Sequence, residues 1–329
     1  MKSTARNEFW DITKATLMWL VVLGHTIQVL IGQDCFSHPL FKAIYLFHLP
    51  VFFFISGYFA YTSIQKRAWK GLTRSAIRLL APIVTFGTIE AIHVTYLHSF
   101  SWSAFLNCYV CFWFLWSLFE CQVLGHLISL SRNPLWKFFC FLTPIILCAF
   151  FTKLIPYANY LSYSWPFFAL GMLARFRNFS YRSINSYWLF SIIPAFIAFC
   201  FFRDDWYIYL SPLRFSLESI GIALFRFIAA ITASTFFLAL MHQCAAKLRI
   251  AKMGTATLGV YIVHSVLCFF AENVDYPPFC AHPCIILSVS VLLYTVSYFI
   301  YHITSKIPIA NLMVYGVLPV NNANKTKDL

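Results

Sequence analysis

Ten apolar runs, each about as long as a membrane-crossing helix, dominate this sequence: residues 15–32, 40–63, 77–97, 105–128, 136–152, 157–174, 184–202, 216–241, 253–271 and 283–304. An α-helix needs about 20 apolar residues to cross the hydrocarbon core. The loops between the runs are too short to hold a soluble domain. Of the 329 residues, 60% are apolar and only 11% charged, against roughly a quarter charged in soluble domains. Soluble and disordered classes are therefore excluded. The expected fold is all-α: a polytopic membrane helical bundle of about ten transmembrane helices. A membrane domain over 15–304 is expected between an N-terminal segment, 1–14, and a C-terminal tail, 305–329.

The basic residues predict the orientation. The net charge is +13, which in a soluble protein would point to nucleic acid. Here the charges sit in short loops and report sidedness, with membrane lipid rather than nucleic acid as the neighbour. One side receives Lys2, Arg6 and Lys14, then Lys66, Arg67, Lys70, Arg74 and Arg78, then Arg132 and Lys137. It also receives Arg175, Arg177, Arg182, Lys247, Arg249, Lys252, Lys306, Lys325 and Lys327. The other side holds Lys42, Lys153, Arg203 and Arg214, and Arg226 falls inside a run. The alternation predicts ten spans with both termini cytoplasmic. Pro144, Pro156 and Pro166 interrupt the fifth and sixth runs, and membrane helices tolerate proline where neighbours satisfy the freed carbonyls. No small-residue cleavage site follows the first run, so it reads as a retained span. The apolar piece 308–320 is too short to cross and reads as interfacial.

Polar groups inside a membrane are costly and mark function by default. The first run carries the clearest set. Lys14 and His25 are eleven residues apart, about 20° from three full helical turns, with Asp11 and Gln28 within roughly 60° on either side. These four form one polar stripe on an otherwise apolar helix, and the stripe must face the bundle interior or a cavity. Lys14 sits near the cytoplasmic mouth and His25 about 16 Å deeper. A histidine so placed is either a satisfied interior group or a working one, and the whole stripe favours the second reading.

Other candidates are less sharp. Arg74 and Arg78, at i and i+4, share a helix face; they either anchor the loop at anionic lipid or bind phosphate. Glu90 and His93 form a relay or a satisfied pair. Arg226 calls for a partner, with Glu90 or Glu120 as the candidates. His264 follows Tyr261 on the ninth run, and His48 lies in the second. Cys35, Cys280 and Cys284 fall on the outer side, where a disulfide is permitted. Cys280 to Cys284 has the outline of a metal site but lacks a second ligand pair, so no metal is expected.

Three blocks resemble the acyltransferase 3 family of bacterial inner-membrane acyltransferases. The first runs from Arg6, Asn7 and Asp11 through Lys14 to Val21-Val22-Leu23-Gly24-His25. The second is Phe47-His48-Leu49-Pro50 through Ser56-Gly57-Tyr58. The third is Arg74 to Pro82. Fainter echoes are Phe112-Trp113-Phe114-Leu115, the Gly171 segment and Thr257 to His264. Ala15 departs from the glycine usual after the Lys14 position, and Lys14 stands where some members carry Arg. No hydrolase-like extracytoplasmic domain accompanies the bundle, so acyl transfer is expected to finish within it.

The resemblance implies transfer of an acyl group, most often acetyl from acetyl-CoA, to a sugar hydroxyl of a surface glycan or its lipid-linked precursor. It implies a multi-pass protein of the inner (plasma) membrane. Acyl-CoA is then a donor substrate, with no bound cofactor. A neutral histidine can take the proton as the hydroxyl attacks the thioester, which makes His25 the catalytic candidate. Asp11, Lys14, His48 and Glu90 support it or relay protons, and Arg74 and Arg78 meet the CoA phosphates. An acyl-histidine route remains open. Asp11 lies about 21 Å along the helix from His25, so the orienting partner must come from another span, with His48, Glu90 or Glu120 as candidates. The rival class is a transporter or flippase for a lipid-linked sugar or small solute. Transporters often show duplicated halves, and none is visible here.

Overall fold

The computed structural model describes residues 8–65, 69–98, 100–151, 158–180, 183, 187–272 and 274–317. Lys2, Arg6, Lys66, Arg67, Lys153, Pro156, Arg182, Lys325 and Lys327 lie outside the described residues, as does the end of the tail. The described residues form thirteen α-helices and no strand. In order they are α1 Glu8–Ile31, α2 Pro39–Tyr45, α3 His48–Gln65, α4 Trp69–His98, α5 Trp102–Val110, α6 Trp113–Ser129 and α7 Pro134–Phe151. There follow α8 Ala158–Phe176, α9 Trp188–Phe201, α10 Leu217–Cys244, α11 Thr257–Ala271, α12 Pro283–Thr304 and α13 Pro308–Tyr315.

Every one of the ten apolar runs carries helix. Six segments are long and apolar enough to cross a membrane unaided, and α5 with α6, bent by 66° at their junction, makes a seventh. The chain is thus a multi-pass membrane protein. The expected count of ten is not reached on length and composition: α9 and α11 have 14 and 15 residues, about 21–23 Å of helix. The apolar character of α8 is broken by Asn159, Ser162, Ser164 and Arg175. Ten crossings and cytoplasmic ends rest on the alternating loops. Fusions of a reporter active only outside the membrane test them: activity is expected after Asp275 and not after Gln65. The same state at both sites would remove the ten-span topology.

Local sequence explains the breaks. Pro50 has no N–H for the helical bond back to Leu46, so the apolar run 40–63 divides into α2 and α3, with proline in the first turn of the second helix. Pro144 and Pro166 sit inside α7 and α8 without ending them. α1 is the central element, touching α2, α3, α10, α11 and α12; its Leu17, Val22 and Ile27 are fully enclosed. α10 runs antiparallel to it. The C-terminal end of α10, through Leu238 and Met241, packs on Phe9 and Trp10. Its earlier Ala229 and Ala233 lie with Ile27 and Phe41.

α3 and α8 cross most closely. A Cβ on Gly57 would stand 2.0 Å from the Phe168 carbonyl oxygen, and one on Gly171 would stand 2.0 Å from that of Phe54. Small residues let membrane helices approach in this way. α13 packs on α4: the Thr85 hydroxyl donates to the Met313 carbonyl at 2.7 Å, and Tyr315 is buried. The expected interfacial piece is thus half folded into the bundle. Two basic residues of the sparsely charged side are neutralised locally, Lys42 by Asp204 at 3.8 Å and Arg203 by Asp205 at 3.0 Å.

Candidate functional site

The polar stripe of α1 faces a cavity of about 710 Å³. Lys14, Met18, Val21, His25 and Gln28 form its α1 wall, a run at helical spacing. α2, α3, α4, α6, α8 and α11 supply most of the rest, with Tyr209 from the segment before α10. Lys14 and Arg78 lie at one end, with Ser56, Phe59, Ser75 and Thr257. Glu90 and Glu272 lie at the other, with Trp113, Tyr160 and Tyr209. The cavity is therefore cationic at one end and acidic at the other, with His25 between.

Asp11 does not line the cavity. It is buried and pairs with Lys14 at 2.8 Å, one turn away on the same helix. The Lys14 ammonium also lies 5.8 Å from the centre of the Phe59 ring. Its charge is thus balanced within α1. Ala15, the departure from the family pattern, is buried, and its carbonyl accepts from the Tyr294 hydroxyl at 3.2 Å.

Around half-buried His25 the structure gathers two further histidines. The His264 ring lies 5.3 Å from it, centre to centre, and His48 lines the same cavity. His48 Nδ1 is 2.8 Å from the Ile44 carbonyl, and His264 Nδ1 is 2.9 Å from that of Val260. A carbonyl only accepts, so both rings carry a proton on Nδ1 and leave Nε2 as the atom open to other partners. His264 Nε2 is buried with no hydrogen-bond partner among the described residues. Gln28, one turn on from His25 along α1, lines the same cavity. Of the orienting candidates, His48 is near, Glu120 is off the cavity wall, and Glu90 lies at the acidic end. His264 is the neighbour that sequence reasoning did not place.

Other expectations separate. Arg78 lines the cavity and Arg74, one turn earlier, does not; among the described residues neither has a carboxylate partner. Glu90 accepts a hydrogen bond from the Cys111 thiol at 3.1 Å, while His93 packs on Phe270 with rings 5.4 Å apart. The expected Glu90–His93 contact is replaced by these. Arg226 has no carboxylate either: it donates to the Ser211 carbonyl at 2.9 Å and more weakly to that of Trp206. Cys35, Cys280 and Cys284 are free thiols. No cluster of three or more metal-binding side chains occurs among the described residues.

Sequence reasoning missed Glu272 and the aromatic end. Glu272 had a signal: Tyr261, Ser265, Cys268 and Glu272 recur at helical spacing along α11 and all line the cavity. The aromatic triad had none, because Trp113, Tyr160 and Tyr209 come from three separate elements. Their ring centres lie 4.4 Å (Trp113–Tyr160), 5.8 Å (Tyr160–Tyr209) and 5.9 Å (Trp113–Tyr209) apart.

The bundle thus encloses a histidine between a basic mouth and an aromatic, acidic end. The family model described as an acyltransferase domain matches residues 7–302, nearly the whole chain, and the protein belongs to this acyltransferase 3 family. It is a membrane acyltransferase. It is similar to nodulation protein NolL of Mesorhizobium japonicum, 28% identical over 288 residues, which are 80% of this chain and 76% of that protein. Nodulation protein NolL of Sinorhizobium fredii is 32% identical over 179 residues, 51% of this chain and 48% of the relative. No solved structure gives a significant match.

Proposed function

We propose that the protein is an inner-membrane O-acetyltransferase that moves acetyl from acetyl-CoA to a sugar hydroxyl of a cell-surface glycan or its lipid-linked precursor. The observation that carries this reading is the position of His25 inside the cavity, between the cations and the aromatic end. The CoA phosphates meet Arg78 and Lys14, and the pantetheine arm runs along α1 toward His25. The sugar lies against Trp113, Tyr160 and Tyr209, whose faces suit its apolar C–H surfaces. Glu90 and Glu272 accept from its hydroxyls. His25 takes the hydroxyl proton as the new C–O bond forms; the C–S bond then breaks, and the proton passes to the departing CoA sulfur. His48 and His264 line or border the same space beside His25.

The direct test is turnover. Purified protein with acetyl-CoA and the glycan fraction of its host should release free CoA, and the glycan should gain the mass of acetyl. Solute or lipid movement in vesicles without thioester cleavage would instead support the transporter or flippase reading. That reading draws on a cavity that reaches from Lys14 to Glu272.

Two substitutions separate the ends of the cavity. Arg78→Ala should raise the KM for acetyl-CoA by about tenfold, the loss of one charge-assisted hydrogen bond, with Arg78→Lys restoring it only in part. Arg74→Ala should change it little. Equal effects at both sites would reduce the pair to a lipid anchor. Trp113→Ala should raise the KM for the glycan and leave that for acetyl-CoA unchanged, a split that steady-state kinetics in both substrates reads directly. An equal rise in both would remove the acceptor assignment.

A further inference from the structure

A second cavity, of about 320 Å³, lies between α7, α8 and the N-terminal half of α10, at the end of the bundle away from Lys14. Its walls are largely apolar, with Ala149, Pro166, Leu213 and Phe227 among them. Ile146, Phe215 and Leu224 at its edge are exposed, so it borders the lipid-facing surface. Inside it is Arg226, only 7% exposed. The guanidinium meets two neutral backbone carbonyls, and among the described residues its Nε has no hydrogen-bond partner. Among the described residues it makes no ion pair. Arginine does not give up its proton in proteins, and a buried charge without a counter-ion is strongly unfavourable. Arg214 also lines the cavity, exposed and likewise without an ion pair among the described residues.

We infer that this cavity binds a phosphate-bearing lipid, with the phosphate on Arg226 and Arg214 and the hydrocarbon chain along the apolar walls. The guanidinium fork matches phosphate oxygens in pairs. A purely apolar guest would leave the charge unanswered, and a free anion would leave the apolar walls unfilled. A smaller cavity of about 20 Å³ touches Arg226 and Tyr163 on one side and Tyr45 and Tyr209 on the other. It sets the lipid phosphate one wall away from the acyl-transfer cavity.

Dodecyl phosphate is the probe, titrated against the purified full-length protein in a neutral maltoside detergent, with binding read by the shift in thermal midpoint. Saturable stabilisation is expected, with inorganic phosphate far weaker at equal concentration. Arg226→Gln should weaken dodecyl phosphate by about tenfold or more, one lost charge-assisted contact. Ala223→Phe, which fills the cavity and keeps the charge, should weaken it similarly and serves if the arginine variant fails to fold. Unchanged affinity in either folded variant would overturn the site. Inorganic phosphate binding as tightly as the amphiphile would overturn the lipid assignment. Binding is read without turnover, so this result stands apart from the acyl-transfer reading.

Discussion

Replacing His25 with Gln should lower acyl transfer by about 10²- to 10⁴-fold, the range for loss of a general base. Glutamine fills much of the same space and can hydrogen-bond Gln28, yet it has no nitrogen lone pair of useful basicity. Expression, membrane insertion and acetyl-CoA affinity should be nearly unchanged, because Lys14 and Arg78 are untouched. His25→Ala should be equally inactive. The measurement is CoA release with saturating donor and acceptor. Near-normal turnover in the Gln variant would reduce His25 to a structural group and move the base to His48 or His264, whose Nδ1 atoms are already tied to backbone carbonyls and leave Nε2 for the substrate.

The α1 stripe was legible because helical periodicity is a local property: Lys14, His25 and Gln28 face one cavity since their spacing requires it. The same rule could not separate Arg74 from Arg78. They share a face, but one turn of about 5.4 Å decides which reaches the wall, and that depends on where α4 meets its neighbours. Arg226 was read as half of an ion pair because sequence shows carboxylates and hides backbone. The carbonyls it meets, those of Trp206 and Ser211, belong to a loop whose path no periodicity reports. The aromatic end was invisible for a related reason, since its rings converge from α6, α8 and the segment before α10. His264 was noted on its own helix; its place beside His25 depends on how α11 packs against α1.

Gly171→Val should be among the most destabilising single changes in the bundle. The Gly171 Cβ would lie 2.0 Å from the Phe54 carbonyl oxygen and 2.8 Å from the Tyr58 nitrogen. These are backbone atoms held in a helix, so no side chain can rotate away. Overpacking typically costs about 1–3 kcal/mol when side chains can adjust; here α3 and α8 must separate, and the cost should reach or exceed the top of that range. Gly57→Val meets the Phe168 carbonyl in the same manner, and the double variant should not compensate, because each methyl strikes the other helix independently. Gly221→Ala is the control: a Cβ there meets nothing within 4 Å. Thermal midpoints of the detergent-solubilised protein should fall steeply for Gly57→Ala and Gly171→Ala and barely move for Gly221→Ala. A Gly171→Ala protein as stable as the control would mean that α3 and α8 do not touch backbone to backbone. The α3 wall of the His25 cavity, where Ser56 and Phe59 flank Gly57, would then lose the support that holds it against α1.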